Sequence, residues 1–296
     1  TEKLSFAASD SAPAAVLVGQ SGGSGDSGGQ ISIWSGLDGA NAVREVANRV
    51  GDEKADTIFH ATAEHPDGGY VVVGTTSGSI GDGVTRGEQD AFLARFDSQG
   101  KMVWSRTIGA GSDAEGLAIA VSDTGQIAIT GKTADDLVTN AIGGGDDTFV
   151  TLYDGDGIEQ WTRQRAGTFN DQGNTIAFTA DGSIVVGGTT SSTMTNDALA
   201  GGSDSFVEKL DADGNQVWIR QFGSTENDSV SSIAVAGDGS VIVAGIENGE
   251  AVLRRYASDV DDVADWTMSL GPLNGGTIGD LQIADDGSIF VGGSTR

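Results

Sequence analysis

Cysteine is absent from this chain of 296 residues. No disulfide framework, thiolate metal site or cysteine nucleophile can therefore exist, and the absence suits an exported bacterial protein exposed to changing redox conditions. Basic residues are scarce: 16 Lys and Arg stand against 43 Asp and Glu, for a net charge of −27. Nucleic acids and anionic membranes both need a basic footprint, so no nucleic-acid partner is expected. A saline habitat would select the same excess of Asp over Lys. Long apolar runs are missing too, with no stretch of about 18 residues or more that could span a bilayer, so no membrane insertion is expected. The opening segment Thr1-Glu2-Lys3-Leu4-Ser5-Phe6 is no signal peptide, and an export signal is expected on a removed or missing segment.

Histidine is nearly absent as well. His60 and His65 are the only two, in a segment resembling H-x-x-E-H with one residue too many. Strand alternation puts them on opposite faces, so they read as solvated or ring-facing side chains and not as a zinc pair. Two serine motifs, Gly25-Asp26-Ser27-Gly28-Gly29 and Gly19-Gln20-Ser21-Gly22-Gly23, resemble protease and hydrolase nucleophile segments. No histidine precedes them and no helix follows, whereas those mechanisms need both partners and context. A Gly/Ser loop is the expected reading.

What the sequence does contain is a repeat. Trp104, Trp161 and Trp218 stand 57 residues apart, and Phe92, Phe149 and Phe206 keep the interval. So do Asp97, Asp154 and Asp211, and Arg106, Arg163 and Arg220, while Gly74, Gly131, Gly188 and Gly245 extend it by one unit. A fixed period of this length means a repeat architecture. Each unit reads as four strands. In the unit starting at Gly116 these are Leu117–Val121, Gln126–Gly131, Thr148–Tyr153 and Ile158–Arg163, with Asp/Gly turns supplying the positive φ of tight hairpins. In the fifth unit Trp266 follows Trp218 more closely, because the middle loop shrinks to Glu247-Asn248-Gly249-Glu250.

Four-stranded units of about 50 residues with one aromatic landmark each predict an all-β fold, a β-propeller. Five complete blades are followed by half a blade, Gly279–Ala284 and Ser288–Gly293. The range 1–296 is read as a single propeller domain of a larger protein, with six or seven blades when intact. A missing segment or a strand-donating partner would complete the last blade. The strand richest in small residues is expected innermost and the tryptophan strand outermost, with Trp104, Arg106 and Ile108 on the face that meets the neighbouring blade. Loss of such an indole is expected to cost about 3–5 kcal/mol.

The pattern Gly-Gly-x-Asp-x-Phe-Val…Leu-Asp-x-x-Gly-x-x-x-Trp, best seen from Gly201 to Trp218, resembles the bacterial SBBP-type β-propeller repeat. The resemblance spans about residues 57–296 and is weak over 1–56. It implies a large exported or cell-surface bacterial protein, extracellular in location and in some cases associated with flagella, usually without a known catalytic site. The segment Asp97-x-x-Gly100-x-x-x-Trp104 also looks like the docking motif of quinoprotein propellers, although their quinone and metal ligands cannot be located here.

A non-enzymatic interaction or adhesion scaffold is the expectation, with a protein or polysaccharide as partner. The alternatives are a structural outer domain of a flagellar or flagellin-like filament, and a propeller enzyme (hydrolase, lyase or quinoprotein). For the enzyme, the inner strands offer only His60, Glu64 and Asp280. The binding residues are expected on the connections between blades: Asp52 to Asp56, Asp113 and Glu115, Asn170 and Asp171, and Glu226, Asn227 and Asp228. These share a face with the long loops from about Ser77 to Gln89, Lys132 to Asp146 and Ser191 to Ser203, and variable loops on a rigid scaffold commonly carry function. No cofactor is expected apart from calcium. The turns Asp154-x-Asp156-Gly157 and Asp211-x-Asp213-Gly214 open like calcium loops, but lack the Glu at position twelve that a full loop requires.

Overall fold

Runs of β-branched and small residues, cut at regular intervals by Asp/Gly turns, fold as antiparallel meanders. The computed structural model describes the strand backbones of residues 3–7, 14–20, 29–35 and 43–50, residue 51, and residues 55–295 apart from 82, 140–142, 166, 196–198, 258–263 and 285. Among the described residues there are strands and turns and no helix.

The first sheet holds β1 (Lys3–Ala7), β2 (Ala14–Gln20), β3 (Gly29–Ser35) and β4 (Val43–Val50). The second holds β5 (Thr57–Glu64), β6 (Tyr70–Thr76), β7 (Asp90–Phe96) and β8 (Met102–Ile108). The third is β9 (Ala114–Val121), β10 (Ile127–Thr133), β11 (Asp147–Tyr153) and β12 (Glu159–Arg165). The fourth is β13 (Asp171–Phe178), β14 (Ile184–Thr190), β15 (Asp204–Leu210) and β16 (Gln216–Phe222). The fifth is β17 (Ser229–Val235), β18 (Val241–Glu247), β19 (Glu250–Tyr256) and β20 (Trp266–Pro272), and β21 (Thr277–Ile283) pairs with β22 (Ile289–Ser294). In each sheet the spatial order follows the chain order. These are five propeller blades and half of another, as the repeat predicts.

Two compact units account for the chain. One comprises Thr1–Ile129, Thr133–Thr139 and Leu152–Gln160, and the other Thr130–Lys132, Asn140–Thr151 and Trp161–Arg296. In the first unit β9 packs on β5 and β6; in the second, β17 packs on β13 and β14, and β21 packs on β17. The small-residue strand thus meets its counterpart in the next sheet within each unit.

Burial follows position in the sheet. All seven residues of β11 and of β15 are buried, whereas the outer strands β12 and β16 are half-exposed or exposed along most of their length. A strand covered on both faces reads as a continuous apolar run instead of an alternating one, as in Phe149-Val150-Thr151-Leu152-Tyr153. In the first unit Phe59, Val72, Ile80, Phe92, Ala94 and Phe96 form one core cluster, and the Phe59 and Phe92 rings meet edge to face at 5.5 Å. In the second, Val185, Val207, Val230, Ile233, Val243 and Tyr256 belong to another. Burying each large apolar side chain is worth about 1.5–3 kcal/mol.

The shortened loop of the fifth blade becomes a two-residue hairpin. Asn248 and Gly249 take φ values of 53° and 74°, the paired left-handed conformation of a type I′ turn, for which Asn-Gly is the preferred sequence.

Candidate functional site

The repeated tryptophan and arginine clasp a turn of the following blade. Trp104 Nε1 donates to the Gly155 carbonyl at 3.2 Å, and Arg106 donates from Nε to the Gly157 carbonyl at 2.6 Å and from Nη2 to the Asp156 carbonyl at 3.2 Å. One period later Trp161 donates to Ala212 O at 2.9 Å, and Arg163 to Gly214 O at 2.8 Å and Asp213 O at 2.9 Å. The guanidinium of Arg106 lies 5.2 Å from the Trp104 ring centre and that of Arg163 lies 5.5 Å from Trp161. Such cation–π pairs contribute about 0.5–1 kcal/mol at exposed sites. Gly157 and Gly214 have φ of 72° and 76°, and a Cβ on either would sit within 3 Å of the indole. Only glycine fits both the turn and the ring. The sequence reading of the tryptophan face as an inter-blade contact is thus seen directly at these two positions.

The same turns were the calcium candidates. Asp154 Oδ1 accepts from the amides of Asp156 (3.1 Å) and Ile158 (2.8 Å), and its Oδ2 accepts from Gln160 Nε2 at 3.2 Å. Asp211 repeats this with Asp213 N (3.0 Å), Asn215 N (2.7 Å) and Asn215 Nδ2 (3.0 Å). Those hydrogen bonds hold the exposed Asp211 carboxyl below the usual carboxylate range, the Asn215 side chain contributing most. The backbone carbonyls of Asp156 and Asp213 already face guanidinium groups. These contacts make each turn a hairpin clasp. Among the described residues, no three His, Asp or Glu side chains converge as a metal ion requires.

The histidines also separate. His60 Nε2 bonds Thr75 Oγ1 at 3.2 Å. His65 is buried and not solvated. Its Nδ1 accepts from Asp67 N at 3.2 Å and faces Arg95 Nη2 at 3.0 Å, and burial followed by the Arg95 charge lowers its pKa. The Gly/Ser segment from Ser21 to Gly28 and the connection residues Asp52 to Lys54 lie outside the described residues.

The connection residues divide into two kinds. Asp113 is exposed, and its Oδ1 accepts from Gln89 N at 3.1 Å; Glu115, on β9, is half-buried. Asn170 is exposed, its Oδ1 capping Asp146 N at 3.0 Å. Glu226 and Asn227 are exposed, and Asn227 bridges to Ser203. Asp171 and Asp228, read from sequence as binding residues, are instead 1% exposed. Asp228 Oδ1 accepts from Ser224 Oγ at 3.0 Å and Asn248 N at 2.8 Å. Asp171 Oδ1 accepts from Thr190 Oγ1 at 2.5 Å, whereas its Oδ2 has no partner. Desolvation outweighs the Thr190 and Ser192 hydrogen bonds and, with the charge of Asp147 adding to it, raises the Asp171 pKa to about 6. These two aspartates shape the loops from inside; a short polar side chain that ties neighbouring amides does this wherever a loop leaves backbone donors unpaired.

Sequence reading missed a further series of buried aspartates, each at the start of a third strand: Asp90, Asp147 and Asp204. Asp90 Oδ1 caps Gly87 N at 3.1 Å, Asp147 Oδ1 caps Gly167 N at 3.1 Å, and Asp204 Oδ2 accepts from Ala200 N at 3.1 Å. Their 57-residue spacing was the available signal. Also missed was Phe169. It is 61% exposed, yet its backbone is held on both sides: its amide donates to Ser192 Oγ at 3.0 Å and its carbonyl accepts from the same hydroxyl at 3.4 Å.

No family model matches the chain, so the SBBP-type resemblance stands on its motif residues alone. The chain is similar to the Regulatory protein FlaEY of Caulobacter vibrioides. The two are 35% identical over 192 residues, which cover 58% of this chain and 19% of that protein. Among solved structures, Sqt1 from Chaetomium thermophilum matches with a TM-score of 0.63 at 16% identity, over 97% of this chain and 66% of that one. A chain of the COPII outer coat vertex matches at 0.65 and 12% identity, over 100% and 70%. The Dos1 propeller matches at 0.54 and 10% identity, over 94% and 64%. These likenesses establish the propeller fold.

Proposed function

We propose that this chain is a non-enzymatic, protein-binding propeller of a bacterial cell-surface or exported protein with a regulatory role, working through its inter-blade connections. The observation that carries the reading is Phe169. The connection between β12 and β13 is clamped to Ser192 and Asp146, yet the fold directs a large aromatic ring into solvent there. A rigid, exposed aromatic is the kind of side chain that anchors protein interfaces. Around it the exposed polar Asn170 and the acidic character of the chain favour a partner with an apolar recess inside a basic rim. Three further facts support the reading: the relative's name describes a regulatory protein, the repeat resemblance implies exported proteins, some of them flagellum-associated, and propellers are rigid scaffolds for variable loops.

The test is Phe169→Asp, with the connection otherwise intact. Surface changes of this kind stay within about 0.5 kcal/mol of wild-type stability, so melting should be unchanged. Binding to the partner, or attachment of the bearing cell, should fall by about tenfold or more. Undiminished binding would refute the assignment. Because the rim is charged, association should also weaken as salt is raised.

A further inference from the structure

The seventh residue of the third strand in four successive blades is Phe96, Tyr153, Leu210 and Tyr256. Three are aromatic and one is not. Tyr153 and Tyr256 are buried, and Tyr256 stacks on Trp218 with ring centres 6.0 Å apart and planes 30° from parallel. The Tyr256 ring therefore fills space between its own blade and the preceding one, in a cluster that includes Val207 and Val243.

Leu210 does not fill its space. A cleft of about 450 Å³ opens beside it, with Phe149, Val186 and Leu210 among its lining. At the next interface of the same unit, a void of about 10 Å³ lies against Phe222, Val243 and Arg254, the counterparts by strand position of Arg165, Val186 and Glu208. There the Arg254 guanidinium covers the Phe222 ring at 4.4 Å. In the open cleft Arg165 turns to Glu208 instead, bonding its carboxylate from Nε at 3.3 Å, and Gln216 completes that wall. The cleft is thus part apolar, part hydrogen-bonding, and missing the ring that the repeat supplies elsewhere.

We propose that this cleft receives a tyrosine side chain from a partner polypeptide. The repeat itself shows which group closes the position, since at the next interface the Tyr256 phenol occupies it, packed with Val207, Val243, Trp218 and Phe222. Glu208 and Gln216 offer acceptors to a hydroxyl at the cleft wall. A polypeptide is favoured over a free phenol because Arg163 and Arg165 of the lining belong to β12, the edge strand of its sheet. An edge strand leaves one row of backbone groups open to an extended chain. This site is separate from the Phe169 connection, and its test reads different residues.

The experiment is methyl NMR of the wild-type chain, following Leu210 and Val186 during titration with N-acetyl-Gly-Tyr-Gly-amide. Parallel titrations use the Leu analogue of that peptide, p-cresol and maltose. Saturable shifts with the tyrosyl peptide are expected, with a Kd on the order of 1 mM for one short segment, and at least tenfold weaker response to the other three probes. Leu210→Tyr should abolish the shifts at Val186 while melting at or above the wild-type temperature. Should that variant not fold, Tyr256→Leu provides the second arm, because it should create a second tyrosyl-peptide site. No saturation at about tenfold above that Kd would overturn the proposal. So would equal binding of p-cresol, tighter binding of maltose, binding that survives a folded Leu210→Tyr variant, or a folded Tyr256→Leu variant that gains no site.

Discussion

Trp161 and Ala212 are joined by a hydrogen bond from the indole nitrogen to the backbone carbonyl at 2.9 Å, across 51 residues of chain. Trp104 and Gly155 repeat it at the same separation. The contact ties the outer strand of one blade to the outer hairpin of the next, and Gly214 or Gly157 lies flat beneath the ring. The repeat period is therefore a contact period, which is why the motif residues recur together.

The first prediction concerns that clasp. Trp161→Ala should destabilise by about 3 kcal/mol, and Gly214→Ala by about 2 kcal/mol or more, since its φ disfavours a side chain and its Cβ would strike the indole. In the double variant the clash is gone, so the loss should be smaller than the sum of the single losses. Denaturant unfolding of the four proteins measures the coupling. Strict additivity would mean that the ring and the glycine do not meet.

The Asp171 carboxyl gives a pH-dependent signature. Its pKa is raised from 3.8 to about 6 in the folded state, so the folded chain binds the proton more tightly than the unfolded one. This contribution is favourable and complete below about pH 4, and is lost as pH rises through about 6. Asp171→Asn should therefore stabilise at pH 8 by about 1–3 kcal/mol and flatten the stability profile between pH 4 and 6. A variant less stable than wild type at pH 8 would contradict this.

His65 works in the opposite direction. Burial and Arg95 depress its pKa below 6.5, so the unfolded chain binds the proton first. Its contribution is present above pH 6.5 and is lost as pH falls through the lowered folded value. His65→Gln should reduce the loss of stability on acidification. An unchanged acid limb after the substitution would show that His65 is not the group responsible.

The hairpin at Asn248-Gly249 offers a local test. Gly249→Ala should cost about 1 kcal/mol, because alanine pays a steric penalty at φ of 74° that glycine avoids. Gly237, outside that conformation and with nothing within 4 Å of a Cβ, is the control, where alanine should change little. Equal effects at both sites would remove the turn argument.

Strands were legible because two-sided burial and Asp/Gly turns leave strong local signals, so the predicted Thr148–Tyr153 differs from β11 by one residue at its start. The tryptophan face was legible from alternation. Side-chain direction at the connections was not. Nothing local distinguishes Asp171, turned inward to Thr190, from Asn170 beside it, which is exposed and caps Asp146. The turn role of Asp154 and Asp211 was hidden for a related reason: a carboxylate two residues before an amide serves a turn as readily as a cation. Phe169 passed unnoticed because a single aromatic in a polar connection has no periodic partner. Leu210 could have been noticed, since it interrupts an aromatic series.

The central claim is that the connection bearing Phe169 meets a protein partner. The most direct measurement replaces Phe169 with a photo-crosslinking phenylalanine analogue in the native host and compares it with the same replacement at Val217, an exposed position on an outer strand. A discrete protein adduct is expected from position 169, absent from position 217 and weakened by raised salt. Equal labelling at both positions, or no protein adduct at 169, would contradict it.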